Sequence, residues 1–511
     1  MSCLVTSETN ILKDLRNLQV SPWGNILRKK QQIMKKMICQ ESSKFKPIWE
    51  EKSPKAIFYE SDRIYTNDYR KCYYSFGCSG TPDLLYKLPS CPKNEKIEDA
   101  LVCEFNTDKV SCVTEDYRSH LITLSRDNYI SLSDLDSGRP MKKVFLSNKF
   151  KFRQLSWNTA GESFYVKANN QSLLSNISVP VATFIVFEVF PLRLHSHIAL
   201  TKQVFKKSIS DASIFQGLLI LMHSGNLVRL FSYDRLVEEY TNVAVSLDNF
   251  SADGIPITVG LKDLPPVLFE VKCNEHNLWL GGVPLHYLYQ PNHQDVYKVC
   301  QLKTNQVVEK GSIPVSLDAY ETDNLFFLSD DSNRLVHVTV HYAQILKINI
   351  MDNGASRIDE LFSVFPHEAE ENATENNWSN EMEGVRTWVM SSFGRIIKRR
   401  VSQDVVGAVS SRIFSLQYDN DLNLMVATSL VAEQHKTGTI DAFVCFHDDD
   451  TGRKLKTVEL EEDWDDTYDH TITLDLDTLI HTYKDYSGYC CVLYRLDRSI
   501  PEDNTEKRPK R

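Results

Sequence analysis

The sequence predicts an all-β fold: a degenerate WD40-like β-propeller of about seven blades with a short N-terminal helical extension. Three observations carry this. First, a unit of apolar strand, tight polar turn and alternating strand recurs along the chain. Second, the copies follow one another with no βαβ alternation, as repeated antiparallel hairpins do. Third, helical periodicity nearly disappears after Ala56. At roughly 40–45 residues per blade, seven blades take about 300 residues. The chain has 511 residues, which leaves room for an extension and long loops.

In chain order, residues 1–55 are expected to form a basic helix-loop-helix extension. Ile11, Leu15 and Leu18 share one face at helical spacing. Ser21-Pro22-Trp23-Gly24 then breaks the chain. A second stripe follows, of Ile26, Leu27, Ile33, Met34, Met37 and Ile38, with Arg28, Lys29, Lys35 and Lys36 around the rest. Two readings stand side by side for this stripe: packing on the propeller's own core, or insertion into a partner's groove.

Residues 56–498 are expected to form the propeller. Its first strands are read at 56–59, 63–65, 84–88 and 101–105. Residues 120–124, 129–135 and 141–146 follow, joined by Arg126-Asp127-Asn128 and by Asp136-Ser137-Gly138-Arg139. Leu155-Ser156-Trp157 passes through Asn158-Thr159-Ala160-Gly161 into Phe164-Tyr165-Val166, as at a blade boundary. Further hairpins are read at 217–222 with 227–233, 325–328 with 334–340, and 387–390 with 395–399. Residues 241–260 are poor strand formers and read as a loop. Pro265-Pro266 permits only an edge or an entry position. Residues 359–380 are acidic and asparagine-rich, and are expected to be a disordered loop. Residues 422–496 are densely β, with turns at Thr437-Gly438, Asp450-Thr451-Gly452 and Ser487-Gly488. Terminal strands often pair in one blade, which removes an exposed edge. Residues 499–511 read as a disordered basic tail, and Lys507-Arg508-Pro509-Lys510-Arg511 is a candidate nuclear-import patch.

Composition narrows the function. The net charge of −10 argues against nucleic-acid binding, which wants a basic face to displace counterions. The 12 cysteines include no C-x-x-C, so no structural zinc signature is read. With no secretory leader read either, reduced thiols in the nucleus or cytoplasm are expected. Residues 179–190 and 215–222 are strongly apolar. Both fall short of the ~20 residues that a spanning helix needs, so a membrane location is disfavoured.

No catalytic, cofactor or metal site is expected. The phosphate loop, the zinc pair H-E-x-x-H and the nucleophile elbow are all missing. His195 and His197 would share one side of a strand, but no third ligand accompanies them. Asp448-Asp449-Asp450 and the carboxylates of 459–466 lack calcium-loop spacing and read as a solvated face. Sequons at Asn170, Asn176, Asn249, Asn372 and Asn377 are taken as chance matches.

Several segments then carry a resemblance. They are Ile38-Cys39-Gln40-Glu41-Ser42-Ser43-Lys44-Phe45-Lys46 with Trp49, Lys93-Asn94-Glu95-Lys96-Ile97-Glu98-Asp99-Ala100-Leu101, and Lys151-Phe152-Arg153-Gln154-Leu155-Ser156-Trp157. Leu264-Pro265-Pro266-Val267-Leu268-Phe269-Glu270-Val271 and Trp464-Asp465-Asp466-Thr467-Tyr468 complete them. In this order, from about Gly24 to Leu496, the chain resembles the cullin-4-associated factor 17 family, one of the substrate-receptor groups of the cullin-4 ubiquitin ligases. The resemblance implies a non-enzymatic adaptor. It would dock on the linker damage-specific DNA-binding protein 1 (DDB1) and present a protein substrate, of unknown identity, to the cullin-4 ligase. It also implies that the two N-terminal helices contact the linker, and it brings a nuclear and nucleolar location. Many receptors of the group carry a W-D-x-R element. Here Trp464-Asp465 is followed by Asp466 and Thr467, so the arginine is missing. Trp464, Asp465 and the two helical stripes are the candidate docking residues. The other readings kept open are a nuclear or nucleolar scaffold without ligase role, and an integral membrane protein.

Overall fold

A computed structural model describes residues 31–40, 43–76, 80–103, 119–158, 163–169, 180–190, 192–206, 208–240, 254–255, 263–291, 294–315, 324–328, 332–339, 342–367, 388–390, 396–398, 411–419, 422–432, 440–461, 464–465 and 468–497. The described strands form the predicted propeller, with eight four-stranded blades where length suggested about seven.

Blade 1 holds Phe58–Glu60, Arg63–Thr66, Lys71–Tyr74 and Asp83–Lys87. Blade 2 holds Ile97–Cys103, His120–Ser125, Tyr129–Asp134 and Pro140–Phe145. Blade 3 holds Phe152–Asn158, Ser163–Asn169, Pro180–Glu188 and Arg193–Thr201. Blade 4 begins with Ile209–Phe215, Leu218–His223 and Leu227–Ser232. Its outer strand is the front of the long strand Phe269–Gly281, where Leu227 faces Lys272. The back of the same strand is the inner strand of blade 5, where Leu278 faces Tyr289. Blade 5 continues with His286–Pro291, Val296–Gln301 and Gln306–Pro314. Blade 6 holds Asn324–Phe327, Arg334–Val338, Ala343–Ile350 and Ser356–Val364, and blade 7 holds Ser411–Asp419, Leu424–Ala432, Ile440–Asp448 and Lys454–Glu459. Blade 8 joins the two ends of the chain. Asp469–Asp475, Thr478–Lys484 and Tyr489–Leu496 are completed by Phe45–Ser53, whose register runs from Phe45 opposite Leu496 to Ser53 opposite Tyr489.

A blade is apolar on both faces, so each must cover two neighbours. The buried side chains obey this. They fall into eight clusters, each placed at one seam between consecutive blades. At the seam of blades 2 and 3, Ile122 and Leu132 meet Phe164 and Phe187. At the seam of blades 8 and 1, Ile480, Cys491 and Leu493 meet Ile57, Ile64 and Tyr73, and the ring is closed.

One turn chemistry repeats between the third and fourth strands. In blade 2 it is Asp134-Leu135-Asp136-Ser137-Gly138-Arg139, and in blade 7 Asp448-Asp449-Asp450-Thr451-Gly452-Arg453. The first aspartate accepts from the Ser137 amide at 2.8 Å, or from the Thr451 amide at 3.1 Å. The glycine takes positive φ, 66° at Gly138 and 70° at Gly452. It also backs onto a ring of the preceding blade, Tyr86 or Phe362, so a Cβ has no room.

Like turns meet across the seams, which fixes a common orientation of the blades. Arg63, just after the first turn of blade 1, bonds Asp136 in the third turn of blade 2 at 2.6 Å. Asn333 in the first turn of blade 6 donates to the Val283 carbonyl in that of blade 5 at 2.8 Å. The helix at residues 31–38 sits on this face, which is the helix face below.

Two sequence expectations are corrected. Residues 45–53 were assigned to the extension, but form the outermost strand of blade 8. Pro47 is tolerated there because an outer strand needs no further ladder partner. Residues 359–364 were placed in an acidic loop, but complete the strand Ser356–Val364; residues 368–380 lie outside the described set. The apolar runs 179–190 and 215–222 contribute strands, and Val181–Phe187 is buried along its whole length. No helix among the described residues is long and apolar enough to cross a membrane. The hairpins predicted near 217–233, 325–340 and 387–399 are present.

Two outcomes test this architecture. Gly452→Ala should lower stability by about 1–3 kcal/mol, from strained backbone and the displaced Phe362 ring; matched chemical denaturation with Gly225→Ala separates the two effects, because a Cβ at Gly225 meets nothing. The second concerns Asp475, at the inner end of blade 8 beside Asp62 and bonded by the Tyr59 hydroxyl. Burial, reinforced by Asp62, pushes its carboxyl up to about 7 from 3.8. Ionisation is disfavoured in the fold, so stability falls as pH rises from about 4 through about 7. Asp475→Asn should be more stable than the parent at pH 8, and the advantage should shrink at pH 5 and vanish only below about pH 4, in paired melting curves.

Candidate docking surface

The helix at 31–38 divides its stripe between two directions. Ile38 is fully buried among Leu422, Leu424, Phe446, Leu460 and Leu496 at the seam of blades 7 and 8. Met34, Met37 and Cys39 pack partly buried against the same cluster. Ile33 points outward and is 59% exposed. The helix is therefore anchored on the propeller's own core by one edge and offers the other edge to solvent. Ile11, Leu15, Leu18, Ile26 and Leu27 lie outside the described residues.

Polar bonds fix the helix end. Lys35 Nζ reaches Asp448 at 3.0 Å and donates to the Asn423 carbonyl at 2.8 Å, which ties it to both helix-face turns of blade 7. Lys456 Nζ donates to the Gln40 and Ser43 carbonyls at 2.8 and 2.6 Å. The Ser43 hydroxyl donates toward the Ile38 carbonyl at 2.7 Å. Terminal carbonyls carry partial negative charge, so an ammonium and a hydroxyl there stabilise the helix end. Asp448 is held below its usual range despite burial, because Lys35 and Thr451 favour the carboxylate.

The acidic run read as a solvated face is thus partly internal. Asp448 pairs with Lys35, and Asp449 forms a buried pair with Arg334 of blade 6. Tyr418 donates to Asp449 at 3.2 Å and places its ring under the Arg334 guanidinium. Truncating either partner of such a buried pair leaves a charge uncompensated, so this contact locks blades 6 and 7 together.

Trp464 and Asp465 stand at the other end of the seam, in the connection from blade 7 to blade 8. The Trp464 indole is 3% exposed and stacks on His470 at 3.8 Å. His470 Nε2 donates to the Asp465 carbonyl at 3.0 Å, and its Nδ1 lies 3.0 Å from His481 Nε2. The sequence-predicted set is therefore not one patch: Ile33, Met34, Met37 and Ile38 are on the helix face, and Trp464 and Asp465 are on the opposite one.

Sequence reasoning missed a feature of the helix face. Leu84, Val283, Val307, Ile350, Met351 and Leu476 are exposed large apolar residues, and all lie in or beside its turns. Val283 is 55% exposed and Leu84 52%. Polar turn residues around them hid them from a periodicity search. With Ile33 they are single apolar points spread over the turns of blades 1, 5, 6 and 8 and the helix.

The other candidates have internal explanations. His195 lies 3.5 Å from Glu188, while burial lowers the His197 pKa. Among the described residues no group of three His, Cys, Asp or Glu could hold a metal. Burial pushes the Cys72 thiol up to about 12 and raises that of Cys300. Such thiols stay protonated near neutral pH. All five sequon asparagines lie outside the described residues.

The family model described as DDB1- and CUL4-associated factor 17 matches residues 29–496. Curated relatives of that name are 32% identical in Danio rerio and 31% identical in Homo sapiens; each match covers 93% of this chain and 92% of the relative. Among solved structures the chain is similar to Sqt1 of Saccharomyces cerevisiae, at 7% identity and a TM-score of 0.40, covering 88% of this chain and 98% of that one. BamB from Moraxella catarrhalis is similar at 9% identity and 0.36, covering 88% and 99%.

Ile38→Ala should cost about 2–5 kcal/mol, because the seam cannot collapse around the lost methyl groups. Ile33→Ala should stay within about 0.5 kcal/mol. Chemical denaturation of the two variants measures the contrast.

Proposed function

The chain belongs to the DDB1- and CUL4-associated factor 17 family, and from that premise we propose that it is a non-catalytic substrate receptor of a cullin-4 RING ubiquitin ligase, docked on DDB1 through the helix face. The observation that supports this docking surface is the two-sided helix: Ile38 anchors it to the propeller while Ile33 remains exposed, on the face that also carries the other exposed apolar turn residues. The receptor would hold a substrate lysine near the ligase's charged ubiquitin carrier. Proximity of that kind needs a rigid frame and no acid–base residue on the receptor itself. A nuclear and nucleolar location is part of the proposal, with the basic tail at 506–511 as the import element.

The test is co-precipitation of the full chain with DDB1. Removing residues 1–30 leaves Ile38 and the strand Phe45–Ser53 in place, so the ring can still close. Ile33→Asp puts a charge on the exposed edge alone. Each change should weaken capture at least tenfold, about 1.4 kcal/mol, with the melting curve unmoved. Unaltered capture by both variants would refute docking through this face. Stable nuclear complexes without DDB1 or cullin-4 in the parent would favour the scaffold reading instead.

A further inference from the structure

The face opposite the helix carries an exposed aromatic side chain on a rigid mount. Tyr486 is 92% exposed, against 59% for Ile33, the next most exposed large apolar side chain among the described residues. It sits at the tip of the hairpin between Thr478–Lys484 and Tyr489–Leu496 in blade 8. Asp485 holds that tip. Its carboxylate accepts from the Ser487 amide at 2.7 Å, the Ser487 hydroxyl at 2.7 Å and the Gly488 amide at 2.8 Å. The Asp485 amide in turn donates to the Gly488 carbonyl at 2.9 Å. Four bonds close a four-residue turn, and at its tip the Tyr486 phenol stands in water.

A second ring stands beside it. Tyr468, from the connection between blades 7 and 8, has its centroid 6.3 Å from that of Tyr486 at an interplanar angle of 59°. Tyr468 is fixed from behind: its amide donates to the Asp465 carbonyl at 3.0 Å, and its ring lies 6.4 Å from that of His470, which stacks on the buried Trp464. A row of rings thus leads from the seam core to the exposed tip.

The segment before Tyr468 is acidic in sequence: residues 459–469 carry seven carboxylates and no lysine or arginine. Of the described charges, Asp465 and Asp485 face the Tyr468 phenol, and Lys52 bears on Asp485 from the outer strand of the blade. Burial raises the Tyr468 phenol's pKa, and Asp465, Tyr486 and Asp485 add to the rise. The hairpin's own cation is placed elsewhere: Lys484 Nζ lies over the Tyr489 ring, 5.3 Å from its centroid. Two tilted π faces flanked by carboxylates are suited to a cation, since ring quadrupole and negative charge attract it together. Anionic partners, nucleic acid among them, are repelled.

We propose that Tyr468 and Tyr486, with Asp465 and Asp485, form a recognition site for a lysine- or arginine-bearing segment of a partner protein. As substrate capture this rests on the receptor reading; as peptide binding it stands alone.

The test titrates the purified full chain with a fluorescein-labelled glycine–lysine peptide at low salt, followed by anisotropy. A glycine–glutamate peptide of equal length is the control. Saturable binding of the lysine peptide alone is expected, weakened about tenfold in Tyr486→Ala and kept within about threefold in Tyr486→Trp. Tyr486 contacts no core cluster, so both variants should melt like the parent. No binding, equal binding of the glutamate peptide, or unchanged affinity in Tyr486→Ala would each overturn the proposal. Binding that emerges only after removal of residues 498–511 would assign the site to the chain's own basic tail and overturn the partner assignment. DDB1 capture measured on the same Tyr486→Ala protein separates the two readings: it should equal the parent's, and loss of capture in the parent would sink the receptor role while leaving peptide binding to stand or fall by itself.

Discussion

The pairing of Phe45–Ser53 with Tyr489–Leu496 is the constraint on which the other seams depend. Each blade presents two apolar faces, so an open array of eight would leave a face bare at either end. Closure covers both at once, with Ile480, Cys491 and Leu493 against Ile57, Ile64 and Tyr73. Its entropic cost is moderate. By the logarithmic law, joining ends separated by several hundred residues costs roughly 5 kcal/mol. The ladder and the buried seam offset it. The closing strand is also an edge, and it is protected as edges are: Pro47 and a bulge interrupt its pairing, and Lys46, Glu50, Glu51 and Lys52 charge it. Blade 1 grips it from the side, with Lys71 on Glu51 at 2.7 Å and the Tyr73 hydroxyl on Glu51 at 3.0 Å.

The helix follows from closure. Only four residues separate Gln40 from Phe45, so the helix must lie where the closing strand begins. That point is the helix-face end of the seam between blades 7 and 8. Ile38 then has one cluster within reach, and Lys35 falls beside the Asp448 turn. The Lys456 and Ser43 bonds complete the seating, and the outward edge of the helix is set by the same geometry.

How much of this was legible in the sequence depends on whether the signal was local. Hairpins were legible because their turns are self-contained: Asp134 and Asp448 bond residues three positions on, so the chemistry is visible in a six-residue window. The strand 45–53 was not, because Pro47 and the bulge break its alternation and its partner lies more than 400 residues away. The blade count was blurred for a related reason: Phe269–Gly281 passes from blade 4 to blade 5 with no turn to mark the seam. The stripe of Ile33, Met34, Met37 and Ile38 showed that a face exists, but periodicity cannot say which neighbour covers it. The aspartates at 448–450 read as solvated because their partners, Lys35 and Arg334, arrive from distant segments. Tyr486 carried no signal at all. A tyrosine in an Asp-Tyr-Ser-Gly turn looks like any strand end until exposure is measured.

The two proposed surfaces stand on opposite faces of one closed ring, and that has a mechanical consequence. Most blade strands have six to nine residues, which at about 3.3 Å per residue sets the faces roughly 20–30 Å apart. A flexible linker of that reach would let a captured segment roam, and its effective concentration at a distant target would fall steeply with length. A ring closed at every seam does not bend in that way, because opening one seam bares two apolar faces at once. The Trp464–His470–His481 stack occupies the same seam as Ile38, so the helix and the tyrosine pair are mounted on one packed block. The eight seams therefore set a fixed vector between the two proposed surfaces, and a fixed vector is what an adaptor working by proximity requires.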